Sequence, residues 1–149
     1  MQANFQDASM VGVQLTDSDL SDSNFLHADL RISDVRMANL ACADFGRANL
    51  SFSDCRSANF SDASLNDCNL RFANCRSANF TTARTMSQLQ VDSMFGDSST
   101  KLPPALVRPE HWADGDFVHT SWRDIAYDKW VETSAPLVKS YEGQALPSS

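Results

Sequence analysis

Three histidines, four cysteines and a dense scatter of aspartates are the residues in this chain whose types could carry chemistry. A histidine beside a carboxylate would suggest acid–base work, and clustered cysteine and histidine would suggest a metal. Neither assembly forms. His27 is expected to face outward, and His111 and His119 stand far along the chain from it. Cys42, Cys55, Cys68 and Cys75 lack the paired CxxC spacing of zinc sites. No glycine-rich phosphate loop or nucleophile elbow occurs, and five glycines leave little room for mobile catalytic loops. The chain is expected to be no enzyme and to hold neither cofactor nor metal.

The aspartates have a simpler explanation in the element that positions them. From Ala38 to Phe80 a triplet recurs every five residues: Ala38-Asn39-Leu40, Ala43-Asp44-Phe45, Ala48-Asn49-Leu50, Ser53-Asp54-Cys55, Ala58-Asn59-Phe60, and so on to Ala78-Asn79-Phe80. Looser matches carry the register back to Phe5, so every central residue falls on a multiple of five. A strict period overrides ordinary helix and strand reading.

Period five suits neither regular element. On an α-helix five steps of about 100° would wind the apolar positions around the axis with no face. On a strand, whose side chains alternate, an odd repeat would flip each core residue to the other side. The chain must turn once per repeat and keep each central residue inside. The small Ala, Ser or Cys two residues earlier suits a crowded inner corner, and the Asp or Asn between them bonds nearby backbone N–H groups. Stacked coils would then pair backbone to backbone about 4.8 Å apart.

These residues resemble the pentapeptide-repeat family, whose motif is A(D/N)LXX. The resemblance covers roughly residues 3 to 85, about seventeen repeats in register. It implies an all-β repeat solenoid, a right-handed quadrilateral β-helix of about four coils with four pentapeptides to a coil. The expected division is a β-helix over 1–85 and a capping, aromatic tail over 86–149. Ser121-Trp122-Arg123-Asp124 reads as a capping box that opens a helix near 121–132, with Trp122, Ile125 and Trp130 on one face. Phe95-Gly96-Asp97-Ser98-Ser99 reads as a turn, and Leu102 to Trp112 as an extended, surface-hugging run. Trp112, Trp122, Ile125 and Trp130 are candidate capping or dimer contacts. The irregular first repeats, with Ser9, Gln14 and Ser18, are expected to blunt the open end or to meet a partner or second copy.

With four repeats per coil, outward residues 20 apart form columns. Arg36, Arg56 and Arg76 form an arginine ladder. Ile32, Phe52 and Phe72 form an outward apolar ladder flanked by Arg31 and Arg71. An aligned apolar column beside arginines reads as an interaction patch, for a protein partner or for the chain's own tail. Cys55 and Cys75 stack in one inward column and Cys68 takes a small inward slot, so these three read as buried hydrophobes, although a Cys55–Cys75 disulfide fits by proximity. Cys42 faces out.

Charge narrows the function further. The chain carries 12 Lys and Arg against 19 Asp and Glu, a net −7. Nucleic acid as a direct ligand is disfavoured by that acidity and by the lack of a basic patch interleaved with aromatics. The family's gyrase-binding DNA mimics, which modulate quinolone sensitivity, need a dense outward negative surface. Residues 1–89 hold ten Asp and seven Arg, and five of those Asp (19, 29, 34, 44, 54) sit in the turn slot. Four coils make a rod about 20 Å tall, under one turn of duplex. The reading is therefore a non-enzymatic protein–protein interaction scaffold, with DNA mimicry toward gyrase as the alternative. A homodimer through the tail or the open end is a further expectation. No apolar run is long enough to span a membrane, and the repeat starts near Met1 with no leader, so a cytoplasmic location is expected.

Overall fold

Every fifth residue of the repeat region makes the same backbone contact. Asn4, Ser9, Gln14 and Asp19 form parallel bridges with Asn24, Asp29, Asp34 and Asn39, and the series continues to Ser64 with Arg84. Each partner lies 20 residues on, so four repeats make one turn. This repeat solenoid belongs to a compact unit running from Met1 to Asp114, and the computed structural model describes residues 2–112 of the chain. The pairing is limited to one residue per side, because the chain turns a corner immediately afterwards. Among the described residues the coil is thus built of isolated bridges and turns rather than of extended strands.

One repeat shows why the sequence folds this way. Phe25 N–H donates to Asp44 O in the next coil, and His27 N–H to Gly46 O. Asp29 N–H donates to Ala8 O in the coil before. Ala28 N–H closes the corner on Phe25 O, and Leu26 N–H is taken by the side-chain oxygen of Asn24 at 2.9 Å. All five backbone donors are satisfied, three by neighbouring coils and one by the amide that the motif supplies. Buried N–H groups require such partners. The same side-chain bond, from Asp or Asn to the N–H two residues on, recurs at Asp19, Asp29, Asp34, Asp44 and Asp54, which accounts for the aspartates without invoking catalysis.

The corner imposes a cost. Among the described residues fifteen other than glycine, including Asp7, Ile32, Arg47, Phe52 and Phe72, have φ near +60°. A left-handed conformation costs an L-residue roughly 1–2 kcal/mol, most for a β-branched side chain such as Ile32. Gly12 occupies this slot once. The strain is offset inside the coil, where Phe25, Phe45, Phe60, Phe80, Leu30, Leu40, Leu50, Leu65 and Leu70 are fully buried. Burial of each such side chain contributes roughly 1.5–3 kcal/mol. The rings continue from coil to coil: Phe5, Phe25 and Phe45 stack at 4.9 and 4.8 Å between centroids, and Phe60 lies 4.7 Å from Phe80.

The two ends of the solenoid differ from expectation. The irregular first repeats are no special cap. They form a regular coil with all four bridges, and Phe5, Met10, Leu15 and Leu20 at its centre are only half-buried. At the other end the boundary expected at 85/86 is not where the unit stops. Arg84, Phe95 and Lys101 still bridge to Ser64, Asn74 and Asn79. Between them lies a helix that the repeat pattern does not announce, α1, Gln88–Ser93. Its N-cap Ser87 accepts from Gln90 N–H, and the Gln90 side chain accepts from Ser87 N–H, a reciprocal capping box. The turn expected at 95–99 falls later, at 97–100, closed by Thr100 N–H on Asp97 O, while Phe95 is still a bridge residue. The run to Trp112 is broken by turns at Pro103–Leu106 and Pro109–Trp112. The expected helix near 121–132, with Trp122, Ile125 and Trp130, lies outside the described residues.

Candidate interaction surface

Three aspartate–arginine pairs are set by the alternation of side chains about a bridge residue. In Asp29-Leu30-Arg31, Asp34-Val35-Arg36 and Asp54-Cys55-Arg56 the outer two residues share the outward face while the middle one points in. Each arginine grips the carboxylate of its own repeat. Arg31 NH2 lies 2.8 Å from Asp29 Oδ2, Arg36 NH2 2.7 Å from Asp34 Oδ2, and Arg56 NH2 2.8 Å from Asp54 Oδ2. In each pair Nε reaches the other carboxylate oxygen as well, the two-point geometry that fixes a guanidinium plane. Arg36 Nε also stands 3.7 Å from Asp54 in the next coil, so two coils are linked into one zipper.

The hydrogen bonds from Arg36 hold the Asp34 carboxyl below its ordinary 3.8, against the opposing push of partial burial. Burial presses Asp29 upward, and the bonds and charge of Arg31 outweigh it, so that group is lowered too. In the last coil the acid is replaced by an amide. Arg71 and Arg76 follow Asn69 and Asn74, whose side-chain oxygens accept the arginine backbone N–H groups. The exposed Arg71 guanidinium instead lies 5.8 Å over the ring of Phe72. The expected ladder of Arg36, Arg56 and Arg76 is therefore two anchored cations and a third opposite an amide.

The apolar ladder needs correction. Ile32 and Phe52 are each only 8% exposed, while Phe72 is half-buried. Register gives the direction in which a side chain leaves the coil, and here the column closes on itself. Phe52 and Phe72 meet at 5.2 Å, and Phe95 extends the column at 6.4 Å from Phe72. Met37, at the equivalent corner one side further on, is 53% exposed. Ile32 and Phe52 thus do not form an open patch, and Phe72 is the member of the column nearest to solvent.

The cysteines follow their columns. Cys55, Cys68 and Cys75 are buried free thiols and Cys42 is exposed. Burial pushes the Cys68 and Cys75 thiols well up, so neither is a poised nucleophile. His27 sits exposed at a corner, and His111 Nε2 lies 3.4 Å from Met94 O. Among the described residues no group of three or more His, Cys, Asp and Glu could hold a metal ion.

Trp112 is the one aromatic contact of the expected tail set that the structure describes. It is buried, donates its indole N–H to Met94 O at 3.0 Å, and lies directly on Gly96. A Cβ at Gly96 would meet the indole at 2.6 Å, so the glycine is required by close approach. Around it, side chains cap the last coil. Gln90 Nε2 donates to Leu65 O and Cys68 O, Thr100 Oγ1 to Cys75 O, while Thr82 Oγ1 and Asp97 Oδ1 accept from Asp62 and Ser77 N–H. Reading by repeats missed this group; the Ser87-to-Gln90 spacing was its visible signal.

The 20-residue turn and the Asp/Asn-bonded corner are the features a family assignment must match. A family model described as pentapeptide repeats matches in eight copies, over residues 1–36, 34–67 and 48–84. The chain belongs to the pentapeptide-repeat family. No curated protein gives a significant match. Similar solved structures include a pentapeptide repeat protein from Nostoc Pcc 7120, at 27% identity and TM-score 0.47, covering 71% of this chain and 78% of that one. A pentapeptide repeat protein from the Arabidopsis thaliana thylakoid lumen is 24% identical, TM-score 0.43, over 60% and 70% of the two chains. QnrB1, a plasmid-mediated fluoroquinolone resistance protein, is 16% identical at TM-score 0.31, over 68% and 67%. Among the described residues of this pentapeptide-repeat protein no helix is long and apolar enough to cross a membrane.

Proposed function

We propose that this chain is a non-enzymatic protein–protein interaction scaffold, cytoplasmic, built on a rigid right-handed coil of about four turns. The observation that carries the reading is the zipper of Asp34, Arg36, Asp54 and Arg56, which holds two half-exposed guanidinium groups at coil spacing on one face. Cations fixed in advance lose little freedom when a partner carboxylate arrives, and such pre-organisation favours binding. Arg71, Phe72 and Arg76 extend the surface into the last coil, with Arg31 beside it, and the covered Ile32 and Phe52 support Phe72 from below. Pulldown from the native cell with Arg56→Gln plus Arg71→Gln is expected to lose the principal partner. Unchanged recovery of every partner would count against the reading. A homodimer through the tail, 86–149, or through the open end of the coil belongs to the same proposal, and light scattering on the full chain tests it: a monomeric mass would remove it.

A second reading is favoured by one observation. Residues 2–26 carry Asp7, Asp17, Asp19 and Asp22, all exposed, and no Lys or Arg. A dense negative end is the requirement for imitating duplex phosphates toward gyrase. Stoichiometric inhibition of gyrase supercoiling, or protection from a quinolone, would replace the scaffold reading by this one.

A further inference from the structure

The ladder donors of the last coil find backbone acceptors in the continuing chain on three sides; on the fourth, α1 covers the coil and leaves Leu70 1% exposed without continuing the ladder. Leu65 N–H donates to Arg84 O, Cys75 N–H to Phe95 O, and Phe80 N–H to Lys101 O. The equivalent donor on the fourth side, Leu70 N–H, has no acceptor among the described residues. There the chain leaves the coil path to form α1, and no bridge to Asn69 forms above it. Of the neighbouring groups, Phe72 N–H is satisfied by Ser93 O and Cys68 O by the Gln90 side chain, while Asp67 N–H at the corner likewise has no acceptor among the described residues. What remains is a cleft of about 760 Å³ between the strip 66–71 and the cap residues 85–93. Leu70 lies at its floor and Leu89, 80% exposed, on its wall.

We propose that this cleft takes an extended peptide segment of a partner protein as an added strand, in the place a fifth coil would occupy. An unpaired ladder donor beside a groove is what strand addition uses: main-chain bonds supply affinity and alternate side chains supply specificity. One carbonyl of the peptide accepts from Leu70 N–H. An apolar side chain of the peptide covers Leu89, which a small polar ligand or a water would leave exposed. The rim carries Asp67 and Asp92 against Arg71, so the matching peptide has Lys or Arg beside its apolar residue. This deepens the scaffold reading, on which it rests, but on a different surface from the arginine zipper.

The test is a random twelve-residue peptide display library panned against the full chain, followed by calorimetry and amide NMR with the selected peptides. Selected sequences should share an apolar residue flanked by a basic one, and their addition should shift the Leu70 amide. Leu89→Arg, at an exposed position that should leave folding intact, should weaken binding about tenfold or more, a change of about 1.4 kcal/mol. Asp92→Lys should weaken it less. Arg56→Gln should leave it unchanged, which separates failure of the cleft from failure of the zipper. The proposal is overturned if no peptide binds below about 1 mM, or if binding ignores Leu89→Arg and leaves the Leu70 amide unmoved.

Discussion

The coils over residues 3–81 and the cap over 82–112 face the same demand, an upward row of backbone donors and acceptors on four sides, and meet it with different atoms. In the coils the backbone of the next turn answers, three bonds per repeat, and the side chain of Asp or Asn supplies one more. In the cap only part of the row finds backbone. Side chains of Thr82, Gln90, Asp97 and Thr100 take much of the rest. The lesson is about redundancy. A coil bond has identical neighbours above and below, whereas each cap bond is made once by a particular residue. The coils should therefore resist local damage through their stacking, and the cap should open as a unit.

The strongest attack on that comparison goes to the stack itself. Phe45→Ala removes a ring packed on Phe25 and Phe60 and should cost about 3–5 kcal/mol in urea denaturation. Loss should be global, with protection from hydrogen exchange falling across residues 25–80 together. Gly96→Val, which drives a side chain into Trp112, should cost about 1–3 kcal/mol by overpacking. Its exchange should rise over residues 86–112 while residues 25–60 keep their protection. Equal loss in both segments would show that coil and cap are one cooperative unit.

Smaller changes sharpen the comparison. Gln90→Leu strips the side-chain donor from Cys68 O and from Leu65 O, which keeps its corner bond. It should cost about 1–2 kcal/mol, confined to the cap. In the coils the pairing of Asp34 with Arg36 makes stability depend on pH. The folded carboxyl is held below its unfolded value, so the unfolded chain takes up protons first as pH falls. The contribution is present above the ordinary 3.8 and is lost as pH drops through the lower folded value. Asp34→Asn should be less stable than the parent at pH 7, and the gap should narrow progressively as pH falls below 3.8 in matched urea titrations. Least of all, Met37→Gly at an exposed corner with φ of 58° should stabilise the chain by about 0.5 kcal/mol, as relief of left-handed strain exceeds the entropy of glycine.

Much of the coil was legible because its determinants are local and periodic. The inward residue, the small corner residue and the Asp or Asn in the turn slot can each be read from type and spacing. The Asp-x-Arg pairs were legible too, by side-chain alternation, but columns 20 apart draw the eye along the rod rather than across one repeat. The positive φ at Ile32, Phe52 and Phe72 was not legible, since nothing in those side chains favours it and the stacked neighbours impose it. Nor was the coverage of Ile32 and Phe52, because a register states where a side chain points and not what lies over it. In the cap, α1 is six residues long and shows no apolar period, so only its capping box betrayed it.

The bridge spacing of 20 has a consequence for how such a chain can change length. Gaining or losing a whole turn leaves every column in line, so the rod grows like a stack of identical tiles. Gaining or losing a single pentapeptide keeps the core filled yet rotates everything downstream by a quarter turn. Arginines would then stand over a different face, and α1 would sit above a different side of the coil. Insertions that the fold tolerates equally well are therefore not equivalent for recognition: one kind moves the cap further away, and the other re-aims it.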